Sequence, residues 1–232
     1  MPNRLLDRQI RLIAHLTSPP AIFGESATAP EGIDAGLLHI EARMSHEKRI
    51  GKIATVLPRT FARLGKRRRA VLRDFAAACP PASIGRISNA RQFQEFLAGR
   101  LGLEPAWLTE LARAELAFAE LREAAPHENA DRAATMVRMV RRSPGIVLVR
   151  CAFDIWPILA GRSVTPVRRD TPLVIARDHH SNDPMAAEVP LQLFEFLAAL
   201  SDWTALDEFA PSGDANALVR DLVASGLIEV RA

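Results

Sequence analysis

The sequence predicts an α+β protein in two parts: a multi-helix domain over residues 1–125, then a small domain of short antiparallel strands plus helices over 132–232. Three observations carry this. Up to about residue 121, apolar side chains recur at three- and four-residue spacing, interrupted by proline pairs. From residue 146 the pattern changes to short β-branched runs bounded by Pro and Gly. Helical spacing then returns at residue 191, and the chain closes on Gly226-Leu227-Ile228-Glu229-Val230. A hairpin feeding a small helical cluster is the layout of winged-helix DNA readers, and equally of peptide-recognition modules that take up a partner strand on a sheet edge.

Leu5, Leu6, Ile10, Leu12, Ile13 and Leu16 make one apolar helix face after a cap at Asn3, and Pro19-Pro20 ends that helix. Residues 21–36, rich in small residues and Pro, read as a loop. Helical spacing resumes over 34–57, with Leu37, Leu38, Ile40, Met44, Ile50, Ile53, Ala54 and Leu57 directed at a core and Pro58 starting or kinking another turn. Val71, Leu72, Phe75 and Ala76 give the next helix its apolar side, stopped by Pro80-Pro81. Phe93, Phe96, Leu97 and Leu101 follow, and after Pro105 the run Trp107, Leu111, Ala114, Phe118 and Leu121 steps by four and three. Residues 124–131, with Pro126, read as the interdomain linker.

Ile146-Val147-Leu148-Val149, Leu173-Val174-Ile175 and Val189 are the strand candidates, while 136–141 fits a strand or a helix end. A polar turn, His179-His180-Ser181-Asn182-Asp183-Pro184, follows the second of them. Leu191, Phe194, Leu197 and Leu200 form a helix, and residues 217–225 form another with Gly226 as its C-terminal stop.

Charge separates the two readings of the C-terminal part. From residue 191 to 232, seven acidic side chains face only Arg220 and Arg231, a net charge of −5. DNA readers need cations to neutralise phosphates, so a nucleic-acid partner is not expected here. From 136 to 180, Arg138, Arg141, Arg142, Arg150, Arg162, Arg168, Arg169 and Arg177 face Asp154, Asp170 and Asp178, a net +5 that suits an extended carboxylate-bearing peptide. The densest basic run is Lys66-Arg67-Arg68-Arg69; without interleaved aromatics it reads as a solvated helix face or a protein contact.

Apolar content of 48% and a net charge of +3 fit a folded chain with a real core. Cys79 and Cys151 stand far apart with no CxxC, which points to a reducing compartment and no zinc site. Arg4, Asp7, Arg8 and Arg11 break up any secretory apolar run, and no stretch approaches the roughly 20 apolar residues of a membrane span. The expectation is a cytoplasmic protein without a membrane partner. His179 and His180, adjacent on an extended turn, point to opposite faces and chelate poorly together. His39 and His46 are two helical turns apart, about 10 Å, too far to share a metal. With no GxSxG, Walker, GxGxxG or HExxH motif in the sequence, no catalytic residue, metal ligand or cofactor site is assigned to this chain.

The helix Leu111-Ala112-Arg113-Ala114-Glu115-Leu116-Ala117, preceded by Phe93-x-x-Phe96-Leu97 and Pro80-Pro81, resembles the helical domain of a bacterial family long described as DNA-binding. Ser143-Pro144-Gly145, Ile146 to Val149 and Phe153-Asp154-Ile155-Trp156 are similar to that family's strand and tryptophan segment. Leu116 stands where many relatives carry an aromatic, which favours the methanobactin-biosynthesis branch. The resemblance implies a non-catalytic subunit that forms a heterodimer with a TIM-barrel iron enzyme and holds the leader of a ribosomally made precursor peptide. The partner would hold the iron and convert precursor cysteines to oxazolone and thioamide groups. On that reading Leu173, Val174, Ile175, Ala176 and Arg177, with a helix face of Leu218 and Leu222, are expected to take the peptide by strand addition. His39, Arg43, His46 and Arg49 are expected to contact the enzyme. The alternative is a DNA-binding transcriptional regulator, motivated by the hairpin-plus-helices layout and Lys66-Arg67-Arg68-Arg69.

Overall fold

Helix breaks and caps set the element order of the first half. The computed structural model describes residues 4–25, 29, 32–124, 138–162, 164–178, 183–206 and 215–231. Asn3, most of the 124–131 linker, and the turn residues His179, His180, Ser181 and Asn182 lie outside them. Clustering of contacts divides the chain into two units, Met1–Leu116 and Ala117–Ala232.

The first unit is helical: α1 (Arg4–Leu16), α2 (Pro19–Phe23), α3 (Ala35–Val56), α4 (Pro58–Leu64), a 3-10 turn (Gly65–Arg67), α5 (Arg68–Ala78), α6 (Arg86–Gly99) and the start of α7 (Leu108–Glu123). Part of the expected loop 21–36 is helix α2. Pro19-Pro20 does end α1, but proline lacks only an N–H that a first helical turn leaves unbonded anyway, so the same pair opens α2 behind the Ser18 cap. Gly24, at φ 77°, closes α2 in the left-handed conformation, and the His39 ring lies 3.3 Å from where a Cβ would stand. Asp34 caps α3 through its Oδ1, which accepts the Leu37 N–H at 2.9 Å.

The core of this unit is aromatic. Phe75 meets Phe93 edge to face at 5.0 Å between centroids, and Phe61 lies 5.2 Å from Phe93. Ile53, Leu57, Leu97, Leu108 and Leu111 of the same unit are fully buried. Two expected apolar faces turn out differently. In α1, Leu5, Leu6, Ile10 and Ile13 are exposed, and no residue of the helix is buried. In α3, Leu38, Ala42, Ile50 and Ile53 go inside while Leu37, Ile40 and Met44 stay outside. Both stripes have helical spacing; what is buried depends on where the neighbouring helices pack.

The second unit carries two three-stranded antiparallel sheets, ordered β5-β1-β6 and β2-β3-β4, so the whole protein is α+β. The strands are β1 (Met139–Arg142), β2 (Ile146–Phe153), β3 (Arg168–Arg177), β4 (Pro184–Glu188), β5 (Thr204–Ala205) and β6 (Ile228–Arg231), with helices α8 (Trp156–Leu159), α9 (Leu191–Ala199) and α10 (Ala215–Ala224). An apolar core draws on β1, β2, β3, α9, α10 and β6: Val140, Ile146, Val174, Leu197, Leu200, Leu222 and Ile228 pack together. Of segment 136–141, open between strand and helix end, residues 139–141 lie in β1, while 136 and 137 lie outside the described residues. Gly226, at φ 68°, ends α10; its N–H reaches Val223 O at 3.0 Å and the Leu227 N–H reaches Leu222 O at 2.8 Å, the paired bonds of a Schellman stop.

A candidate docking groove

The residues expected to meet a peptide are not open to one. β3 is the central strand of its sheet: Leu173, Val174, Ile175 and Ala176 pair with β2 on one side and with β4 on the other. Strand addition needs unpaired N–H and C=O groups along an edge, and β3 has none to offer over this stretch. Leu173 and Ile175 are fully buried, and the Arg177 guanidinium donates to Leu121 O and Ala124 O, closing the C-terminal end of α7. Leu222 belongs to the core, while Leu218 on the same helix is half exposed. Among the described residues the outer edges of this sheet, on β2 and on β4, pair with no further strand, and Met185 on β4 is exposed.

Nor is the sheet as basic outside as its composition suggests. Arg141 pairs with buried Glu229 at 2.7 Å and lies 4.5 Å over the Trp203 ring. Arg150 forks onto Asp170 at 2.9 and 2.7 Å, Arg169 onto Asp154 at 2.8 Å and onto Glu188, and Arg142 donates to Leu197 O at 3.1 Å. These arginines are spent on the unit's own carboxylates and carbonyls.

The helical unit is arranged the other way. His39, Arg43 and His46, far from the Lys66-Arg67-Arg68-Arg69 run in sequence, share a groove of about 790 Å³ with Lys66, Arg68 and Arg69; among the described residues Glu47 is its one acidic lining residue. Its floor is apolar, with Phe23, Ile50 and Leu72. α3 supplies one wall and the turn into α5 the other. Within the run Arg67 pairs with Glu104 at 3.4 Å, while Lys66, Arg68 and Arg69 line the groove.

The two histidines are held differently. His39 Nδ1 lies 2.7 Å from Ala21 O; a carbonyl only accepts, so Nδ1 carries the proton. His46 meets Phe23 edge-on at 5.6 Å. Burial, then the nearby Arg49 charge, hold its pKa below the usual 6.5, with Glu47 acting weakly the other way. Arg43 and Glu47 form an exposed pair one turn apart at 3.7 Å.

Arg49, expected on the same contact surface, is only 8% exposed and faces inward. It donates to Asn89 Oδ1 at 2.9 Å, Cys79 O at 2.8 Å and Gln92 Oε1 at 2.6 Å, tying α3 to α6 and to the end of α5. Sequence reasoning missed Asn89 and Gln92. The available signal was weak: two amides three residues apart on a helix whose apolar stripe is Phe93, Phe96 and Leu97. Glu115 is a second buried charge, accepting the Arg59 and Thr60 N–H groups at 2.8 Å each and so capping α4. Burial raises its carboxyl above the usual 4.5 against the pull of those bonds.

Among the described residues no group of three His, Cys, Asp or Glu side chains is placed to hold a metal, and no helix is long and apolar enough to cross a membrane. Residues 7–99 match the model of a family described as SCO6045-like, C-terminal domain. The match runs from α1 to the last residue of α6, less than half of the chain, and it contains the whole groove and the Arg49 network. No curated protein matches this sequence.

Proposed function

We propose that this chain is a non-catalytic partner subunit of the MbnC type in methanobactin biosynthesis, a cytoplasmic protein that binds an MbnB-like TIM-barrel iron enzyme and an MbnA-like precursor peptide. The observation that supports this best is the groove. It gathers His39, Arg43 and His46 with Lys66, Arg68 and Arg69 over an apolar floor, a chemistry suited to docking an acidic protein surface.

On this reading the enzyme seats on the groove, and the iron and the oxidation of precursor cysteines belong to the enzyme. The leader peptide adds a strand to the outer edge of β4, next to exposed Met185, since β3 is closed on both sides. The test is co-expression with the cognate barrel enzyme, followed by co-purification and sedimentation. A stable one-to-one complex is expected, weakened at least about tenfold by the double reversal Arg68→Glu, Arg69→Glu, whose exposed side chains leave the fold intact. A chain that ignores the enzyme overturns the reading. The same groove also suits a phosphate backbone, so salt-sensitive DNA binding lost in the same double variant would favour the regulator instead.

A further inference from the structure

Beside the groove, and sharing Ile22 and His46 with it, lies a cavity of about 250 Å³ bordered by Arg49. We propose that it is a binding site for a carboxylate carried on a small aliphatic group. The proposal needs neither the enzyme nor the precursor and stands apart from the reading of the groove.

Arg49 is more than nine-tenths buried, yet its three hydrogen bonds all go to neutral oxygens. The acceptors are pinned in place. Asn89 Nδ2 donates to Ser83 O at 2.9 Å and Gly85 O at 2.7 Å, and Gln92 Nε2 donates to Pro80 O at 3.1 Å, so each amide must turn its oxygen to the guanidinium. A guanidinium carries five N–H groups, and these bonds use three. A buried ion normally meets an opposite charge, and Arg49 meets none among its bonded partners.

The cavity extends that imbalance. Lys48, Lys52 and His46 also line it, and among the described residues no Asp or Glu does. The remaining walls are largely apolar: Leu16, Ile22, Ala42, Ala76 and Ile84. Behind Arg49 the Phe75 ring lies 4.4 Å from Cζ, so the fork is held rigid from its far face. A rigid fork in a cation-lined, largely apolar cavity suits a planar anion that it can bind through two N–H groups. The aliphatic walls select a singly charged carboxylate with a short alkyl group over a dianion such as phosphate, whose extra charge would have to be desolvated against them. A free short-chain acid and a peptide C-terminus ending in an aliphatic residue share this chemistry.

Titration of the full chain by amide NMR and calorimetry separates the sources. The probes are hexanoate, hexanamide, N-acetyl-Ala-Leu with a free carboxylate, the same peptide amidated, and inorganic phosphate. At least one acid is expected to bind and to shift the amides of Ala42, Ser45 and Asn89, with its amide bound about tenfold or more weakly. Hexanoate alone identifies a free acid, and the acid peptide alone identifies a chain end. Lys52→Glu, at an exposed position on the cavity wall, should weaken binding severalfold without unfolding the protein; it stands beside Arg49→Lys, which risks the fold. Binding of neither acid below about 10 mM, equal binding of the amides, tighter binding of phosphate, or shifts confined to residues away from the cavity would each overturn the proposal.

Discussion

The helical unit and the sheet unit are both rich in arginine, and they use it in opposite ways. In the sheet unit, cross-strand register brings charges far apart in sequence face to face: Arg141 opposite Glu229 in β1 and β6, Arg150 beside Asp170 on β2 and β3. In the helical unit, Lys66, Arg68 and Arg69 line an open groove with one acid, and the buried Arg49 is satisfied by neutral oxygens alone. The lesson is that a count of charges along the chain does not give the potential at a surface. The segment with the larger arithmetic excess draws in Glu229 and Glu188 from outside it, and in the shorter run Arg67 pairs with Glu104 while Lys66, Arg68 and Arg69 line the groove.

The largest effect that would test this contrast is at Arg49. Arg49→Ala strands three pinned acceptors and is expected to cost about 3 kcal/mol of stability, measured by chemical denaturation. Glu229→Gln in the sheet unit should cost less, about 2 kcal/mol, because Arg141 is 30% exposed and can turn to water. Equal costs would erase the distinction between a cation clamped by neutral groups and a pair formed across strands.

The next effect is in pH dependence, where buried Glu115 and half-buried His46 of the helical unit act with opposite sign. Burial holds the Glu115 carboxyl above its usual 4.5, so the folded protein keeps that proton more tightly than the unfolded chain does. Its contribution is fully present below 4.5 and is lost as pH rises through the folded value. His46 is held below its usual 6.5, so its contribution is present above 6.5 and is lost as pH falls through the folded value. Glu115→Gln should remove the first slope and His46→Phe the second, read as stability against pH by denaturant titration. An unchanged profile in both variants would mean that neither group is buried in solution as it is here. The smallest effect is expected at the exposed Arg150 and Asp170 pair: Asp170→Asn should leave stability unchanged within error.

Much of the fold was legible. The α3 boundaries follow from Asp34 and Pro58, the α10 stop from Gly226, and the strand cores from the β-branched runs at 146–149 and 173–175. These are local signals, a cap, a breaker or a period, and the residues that carry them sit in the elements they specify. The site was less legible. His39, Arg43 and His46 do share one surface, but nothing in their spacing placed Lys66, Arg68 and Arg69 opposite them. Leu173 to Arg177 read well as a strand, yet its position within the sheet is not a property of the strand. β4 and β2 cover both its edges, and an exposed edge is decided by who pairs with whom. The α1 face erred for a related reason: periodicity says that a helix has an apolar side, not that the rest of the chain covers it.

What the sequence by itself determined is therefore the class and order of the elements, because backbone propensity, caps and breakers act over a few residues. It determined as well that positive charge gathers at 66–69. What only the tertiary structure decided is which charges meet. Asn89 and Gln92 come to Arg49 from about forty positions away, and Glu229 comes to Arg141 from 88. Hydrogen bonds and ion pairs fall off within a few ångströms, so the same arginine is a docking surface, a clamp or half of a neutral pair according to the side chains that the fold brings within reach.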